Sequence, residues 1–401
     1  SSTYPVQMAS ISLDHQFSLE ESLLVDACLS PSAVAERLNS DYDDVRKTTC
    51  EKIACLGQAA EEHVPALVET LCDENENVRR AACAALGNLS VDLVRGYTGA
   101  IAERLGDEDE DVRVAACQAL GRLGPTVVAT HSQTLAQCLR DSDAEVRRTA
   151  SGSLSALGPM VTQEHVKMLA ERLYDDDEEV RVSACEALAV LGPAVALAYG
   201  SALAECLCDR EDIVCEAAAR TFASFGPQAA PYVANLVKCI EGDDDGVQAA
   251  ALNALRAIGS AAIPYMGPLV KKLRHKDEDV RKTACVAMGA LGQHAVEANV
   301  AAIMSRLKDS DLEVRAAACE ALGCLASAAA PDQAAAVAAC LDNDDPDLRI
   351  AALRTLGAMG QVATPHVSDI AKCLGDANEQ VSKIASVTLD RINDTDLDLD
   401  E

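Results

Sequence analysis

The feature that most constrains this chain is a period. The dipeptide Val-Arg, or a near variant, begins at Val45, Val78, Val112, Val146, Val180, Val214, Val247, Val280, Val314, Leu348 and Val381. Successive anchors lie 33 or 34 residues apart throughout. A unit of that length cannot bury an apolar face alone, so the units must stack side by side.

Every unit has one anatomy. Apolar residues sit eleven and seven positions before the anchor, as Leu135 and Leu139 do before Val146. An acidic turn follows, such as "DSDAE" (141–145), with Asp141 or its equivalent placed to cap the next helix. After the anchor, small or apolar residues recur at +4, +8 and +11, as Ala150, Leu154 and Leu157. That is one buried face at 3.6-residue periodicity. A closing glycine, often Gly-Pro as at Gly124-Pro125, ends the second helix. The chain is only 2% aromatic and has no tryptophan, so Ala, Leu, Val and Cys must build the core by close helix packing. The expected fold is all-α, a superhelical α-solenoid of about eleven helical hairpins over residues 31–392. Residues 1–17 read as a flexible segment and 18–30 as a capping helix opened by Ser18 and Glu21. Residues 393–401 read as an acidic tail.

The stretch "DEDEDVRVAACQALGRLGP" (107–125) resembles the HEAT repeat, in particular the short type also found in phycobilisome lyases. The resemblance covers nearly the whole chain apart from its ends. It implies a ladder between neighbouring units, from the arginine after each anchor to a turn aspartate. The matching residues are Arg46, Arg79, Arg113, Arg147, Arg181, Arg281, Arg315 and Arg349. Cys215 and Gln248 break the series in consecutive units, which also hold Phe222, Phe225 and the turn "GDDDG" (242–246). Two missing links in a row predict a bend or hinge over residues 209–268, with the two phenylalanines refilling core positions +8 and +11.

Catalytic and metal chemistry find little support. Cysteine recurs at +5 (Cys117, Cys185) and −8 (Cys138, Cys206), as a small apolar filler would. Cys206, Cys208 and Cys215 invite zinc, but Cys206 and Cys208 point about 200° apart on a helix, and no C-x-x-C pair occurs. His63, His131, His165 and His366 share position −15 with Tyr97, Tyr199, Tyr232 and Tyr265, which reads as a packing ridge with its polar tips in water. Iron-dependent HEAT-repeat hydroxylases use His-Glu dipeptides, and the chain has none. The acidic turns fail the EF-hand pattern, with Val112 and Gln118 where Gly and Glu are needed counting from Asp107. No metal, cofactor or catalytic residue is expected.

Binding is the remaining function class. The formal charge of −30 repels nucleic acid, and no run of basic residues exceeds two. The acidity fits a protein partner with a basic surface, although solubility alone accounts for it. No apolar run is long enough to insert in a membrane. The 17 cysteines, an odd number, suggest reduced thiols in an intracellular, reducing compartment, the cytoplasm first. Positions +2 and +6 of the second helix point away from the buried face and predict the partner-binding, concave surface. Lys47, Arg80, Val114, Arg148, Val182, Glu216, Arg220, Lys282, Ile350 and Arg354 are the candidates. The expected function is a non-enzymatic scaffold or adaptor within a larger multi-protein assembly. The rival is a chromophore lyase or chaperone of the phycobilisome type.

Overall fold

The computed structural model describes residues 31–242 and 244–394. The expected segments 1–17 and 18–30, and residues 395–401 of the acidic tail, lie outside the described residues. The first two tail positions belong to the last helix, Glu379–Asp394. Among the described residues every regular element is an α- or 3-10 helix. The chain divides into two units, Ser1–Met160 and Val161–Glu401. The first holds repeats one to four and the second repeats five to eleven. Each is a stack of helical hairpins, which is the α-solenoid the period predicts.

The second helix of each repeat forms the regular row: Asp43–Ala54, Glu76–Asn88, Glu110–Arg122 and Ala144–Ser155 in the first unit. Its +4, +8 and +11 residues are buried, as Ala150, Leu154 and Leu157 show. Its cap differs from expectation. Asp143, not Asp141, accepts the N–H of Val146 at 3.0 Å. Asp109, Asp177 and Asp311 cap the equivalent helices in the same way. Asp141 is two residues too early for that bond and has another partner. The helix ends where the chain must turn left-handed: eight glycines, among them Gly124 and Gly192, have φ between 49° and 95°.

In several repeats the first helix is bent, which the periodicity did not disclose, whereas Pro125–Gln137 runs unbroken through His131. The residue at −15 leaves helical geometry in five repeats, at Tyr97, Tyr199, Tyr232, Asn299 and His366. Tyr97 has φ −117° and ψ 0°, His366 −105° and 8°, and Asn299 −130° and 16°. A short 3-10 stretch therefore precedes the α segment, as in Gly57–His63 before Val64–Glu69. Tyr265 is exposed, as expected of a ring with its tip in water, but three of the histidines differ. His63 and His165 are buried, and His131 Nε2 lies 3.1 Å from Thr98 Oγ1 of the preceding repeat. These histidines are covered by protein instead of solvent.

Neighbouring second helices approach along a seam of small residues. A Cβ on Gly87 would stand 2.5 Å from Ala119 Cα, and one on Gly121 would stand 2.8 Å from Ser153 Oγ. Where the facing residue is Ser or Thr, its hydroxyl donates across the seam. Ser153 bonds the Cys117 carbonyl at 2.8 Å and Thr221 the Cys185 carbonyl at 3.0 Å. Such bonds fix the axial register of two helices that have little side-chain bulk between them.

Residues 209–268, the expected hinge, lie inside the second unit, and one apolar cluster from Val166 to Ile392 runs through them. Phe222 is fully buried there. It meets Phe225 edge-on at 6.1 Å between ring centroids and Tyr232 at 4.8 Å.

Candidate functional site

Two sets of side chains repeat along the second helices, one at the turns and one on the open face. At the turns, most ladder arginines make two kinds of bond. Nη1 of Arg79 donates to the Asp73 carbonyl of its own turn at 2.9 Å, while Nε and Nη2 grip Asp107 of the next repeat at 3.0 and 2.8 Å. Arg46 holds Asp73, Arg113 holds Asp141, Arg181 holds Asp209 and Arg281 holds Asp309 with the same planar fork. Arg349 reaches Asp376 through Nη2 at 2.8 Å. Arg147 bonds the carbonyls of Asp141 and Ser142 in its own turn. Arg315 bonds the Asp309 carbonyl at 2.7 Å, but the next repeat offers neutral Asn343, and Arg315 Nε is buried without a hydrogen bond.

The missing links are missing from both sides. Cys215 and Gln248 keep the bond to their own turn, through Sγ to the Asp209 carbonyl at 3.4 Å and Nε2 to the Gly242 carbonyl at 2.6 Å. Neither side chain is long enough to reach onward. The positions that would have received them are Gly242 and His275, not aspartate. Restoring both halves of one rung should therefore stabilise the array where one half alone does not. The double variant Cys215→Arg/Gly242→Asp is expected to gain about 1–3 kcal/mol in denaturant unfolding followed by hydrogen exchange, with each single variant neutral or destabilising. A Cβ at Gly242 meets only the Cys239 carbonyl at 3.5 Å, so the site has room.

Burial raises the carboxyls of Asp73, Asp107, Asp141, Asp209 and Asp309. Arginine hydrogen bonds, turn N–H groups and nearby arginine charge outweigh it, and all five are held below the usual carboxylate range. Three buried thiols move the other way: burial pushes Cys83, Cys239 and Cys285 up to about 12, which suits apolar fillers and not nucleophiles. Cys206 and Cys215 are buried while Cys208 is exposed, and no group of three metal-ligating side chains gathers among the described residues.

On the open face, three of the expected residues come together. Lys47, Arg80 and Val114, from repeats one to three, line a groove of about 670 Å³ with their +6 partners Glu51, Ala84 and Gln118. Its remaining lining is mostly small: Ala54, Ala81, Ala85 and Ala115, with Cys55, Asn88 and Asp111. These alanines escaped the sequence reading because they double as helix-packing residues; Ala85 and Ala115 are buried. The cations are not free. Arg80 pairs with Asp111 at 2.9 Å, and Lys47 stands 3.9 Å from Glu51. Lys282, paired with Glu313, lines a separate cleft of about 330 Å³ with Gln248, Leu252 and Val286. Arg148 is tied to Glu145 and Arg220 to Glu216 within their own helices. Val182 is half-buried and Arg354 exposed, and neither lines these clefts. Ile350 departs from expectation: it is buried, because its aliphatic chain joins the apolar cluster instead of the open surface. No single helix among the described residues is long and apolar enough to cross a membrane.

The fold and its repeats agree with what is known of other proteins. No curated protein matches the chain in sequence. Among solved structures it is similar to importin beta crystallised from ammonium sulfate, with a TM-score of 0.64, 16% identity, and coverage of 96% of this chain and 60% of that one. Kap121p bound to Nup53p is similar at a TM-score of 0.65 and 16% identity, over 92% of this chain and 46% of that one. Yeast importin-beta (Kap95p) is similar at 0.60 and 14%, over 96% and 57%. At these identities the likeness is one of fold, and the chain spans about half the length of these transport proteins. The family model for HEAT repeats matches residues 31–95, 98–198 and 266–357, together more than half of the chain. The longer gap it leaves, between 198 and 266, contains both positions where the ladder arginine is lost. On its period, its helical hairpins and this match, the chain belongs to the HEAT-repeat proteins.

Proposed function

We propose that the protein is a non-enzymatic scaffold that holds segments of other proteins along the open faces of its second helices, as one component of a larger assembly. The observation that carries this reading is the groove of repeats one to three. Five of its thirteen lining residues are alanine, so a chain can approach the helix backbones closely there, and its cations already have acidic partners, so it offers no net charge to attract a phosphate backbone. Kap121p, similar in fold, is described as bound to a protein partner, Nup53p, which supports a protein ligand here.

A photo-crosslinking amino acid at Ala84 or Val114, installed in the protein expressed in its natural host, tests the reading. Cross-links from these positions to a discrete partner peptide are expected, with their loss in an Ala81→Arg background. Cross-links that form only from an outer control position such as Tyr174, which is exposed, would reverse the assignment.

A further inference from the structure

Two clefts six repeats apart act as internal controls for each other. One lies between the turns of repeats two and three, the other between those of repeats eight and nine, with volumes of about 450 and 390 Å³. Their frames are the same. Arg79 grips Asp107 with Arg104 beside it at 3.5 Å, and Arg281 grips Asp309 with Arg306 beside it at 2.9 Å. Their charges are opposite. The first cleft is lined by two cations and five carboxylates, the second by four cations and two carboxylates.

The reversal comes from substitutions in register. Where the first cleft has Asp73 and Glu74, the second has His275 and Lys276. Where the first has Gly106 and Glu108, the second has Lys308 and Ser310. The turn is preserved regardless. His275 Nδ1 accepts the N–H of Asp277 at 3.2 Å, as Asp73 Oδ1 accepts that of Asn75 at 2.9 Å. The aspartate is dispensable because Gln248 of the preceding repeat needs no carboxylate. Lys276 and Lys308 are exposed, and neither forms an ion pair with a carboxylate among the described residues. A basic cleft thus stands in a chain of formal charge −30.

We propose that this cleft binds a short acidic peptide segment of another protein. The surrounding negative charge disfavours a long polyanion, whereas a few carboxylates can sit on Lys276 and Lys308 without crossing acidic surface. By length alone, the acidic residues 395–401 of this chain are too short to occupy it. Fully extended they span about 25 Å. The cleft lies three repeats back, at about 10 Å per helix layer, and at the opposite end of a helix about 24 Å long. The groove of Lys47, Arg80 and Val114 plays no part, so failure of either assignment leaves the other standing.

Fluorescence anisotropy of the full chain with a fluorescein-labelled octaglutamate peptide tests the proposal, at about 50 mM salt so that surface charge is not screened away. Saturable binding is expected, weakened at least about tenfold by Lys276→Glu/Lys308→Glu and within about twofold of wild type for Lys383→Glu, an exposed lysine of repeat eleven. Both variants should keep the wild-type circular dichroism spectrum, since the altered side chains are exposed. The proposal is overturned by absence of saturable binding, by equal weakening in the two variants, or by tighter binding of an eight-nucleotide single-stranded DNA than of the peptide.

Discussion

Replacing Phe222 with alanine is expected to destabilise the second unit by about 3–5 kcal/mol, the range for emptying a large buried aromatic site. Phe222 is fully buried and holds two further rings in place, Phe225 at 6.1 Å and Tyr232 at 4.8 Å. Tyr232 in turn lies over Gly200 of the preceding repeat, where a Cβ would stand 2.0 Å from its hydroxyl. Backbone that close on one side leaves the ring little freedom to collapse into the cavity. Phe222→Leu, which supplies the side chain normal at +8, should lose much less. Hydrogen exchange should show the loss concentrated in Asp212–Phe225 and Asp245–Ile258, the two second helices on either side of the ring cluster. An Ala variant that unfolds at the wild-type denaturant concentration would mean that the rings fill space without supporting the junction.

The second large effect is expected at Arg181. Its fork to Asp209, at 2.9 and 2.8 Å, is largely shielded from water. Alanine at 181 strands the Asp209 carboxylate, leaves the Asp175 carbonyl without its side-chain donor and leaves Asp176 only the 3.5 Å bond from Arg210. Breaking one side of a buried pair costs about 3–5 kcal/mol, and the remaining exposure of Asp209 puts this case near the lower end. Arg181→Lys should recover only part, since an ammonium cannot reproduce the two parallel bonds. The pH dependence has a definite sign. Asp209 is held below its ordinary value when folded, so its contribution is complete above the unfolded carboxylate pKa of about 3.9 and is lost as pH falls through the folded value. The wild type should therefore show an acid-side fall in melting temperature that is shallower in Arg181→Ala. An unchanged acid limb would assign the linkage to other carboxylates.

The period made most of the fold legible. A residue type recurring every 33 or 34 positions has to do the same job in each unit, so the anchors, the core at +4, +8 and +11 and the closing glycines could be placed without coordinates. Features that depend on which residue faces which in the next repeat could not. The Gly87–Ala119 approach is one: a glycine at +9 reads as a weak helix residue until the backbone opposite is located. The bend at −15 is another, since the apolar spacing on either side of it is ordinary. The open face was read by angle alone, which placed Lys47, Arg80 and Val114 in one groove but treated Ile350 as equivalent to them despite its greater apolar bulk. Lys276 and Lys308 lie 32 positions apart yet line one cleft, so no run of basic residues along the chain signals them.

The division of each rung between two repeats, a donor in one and an acceptor in the next, bears on how such an array can lengthen. Duplicating or excising one whole period in repeats one to three carries an arginine and an aspartate together, so every new junction is matched at once. Repeats six to eight lack that interchangeability. A copy of repeat two inserted after repeat six would bring an aspartate facing Cys215 and an arginine facing Gly242, two buried charges without partners. Growth by unequal recombination is therefore unhindered in the first unit and penalised around residues 215–275, which fixes the distance along the chain between the two broken rungs and the basic cleft.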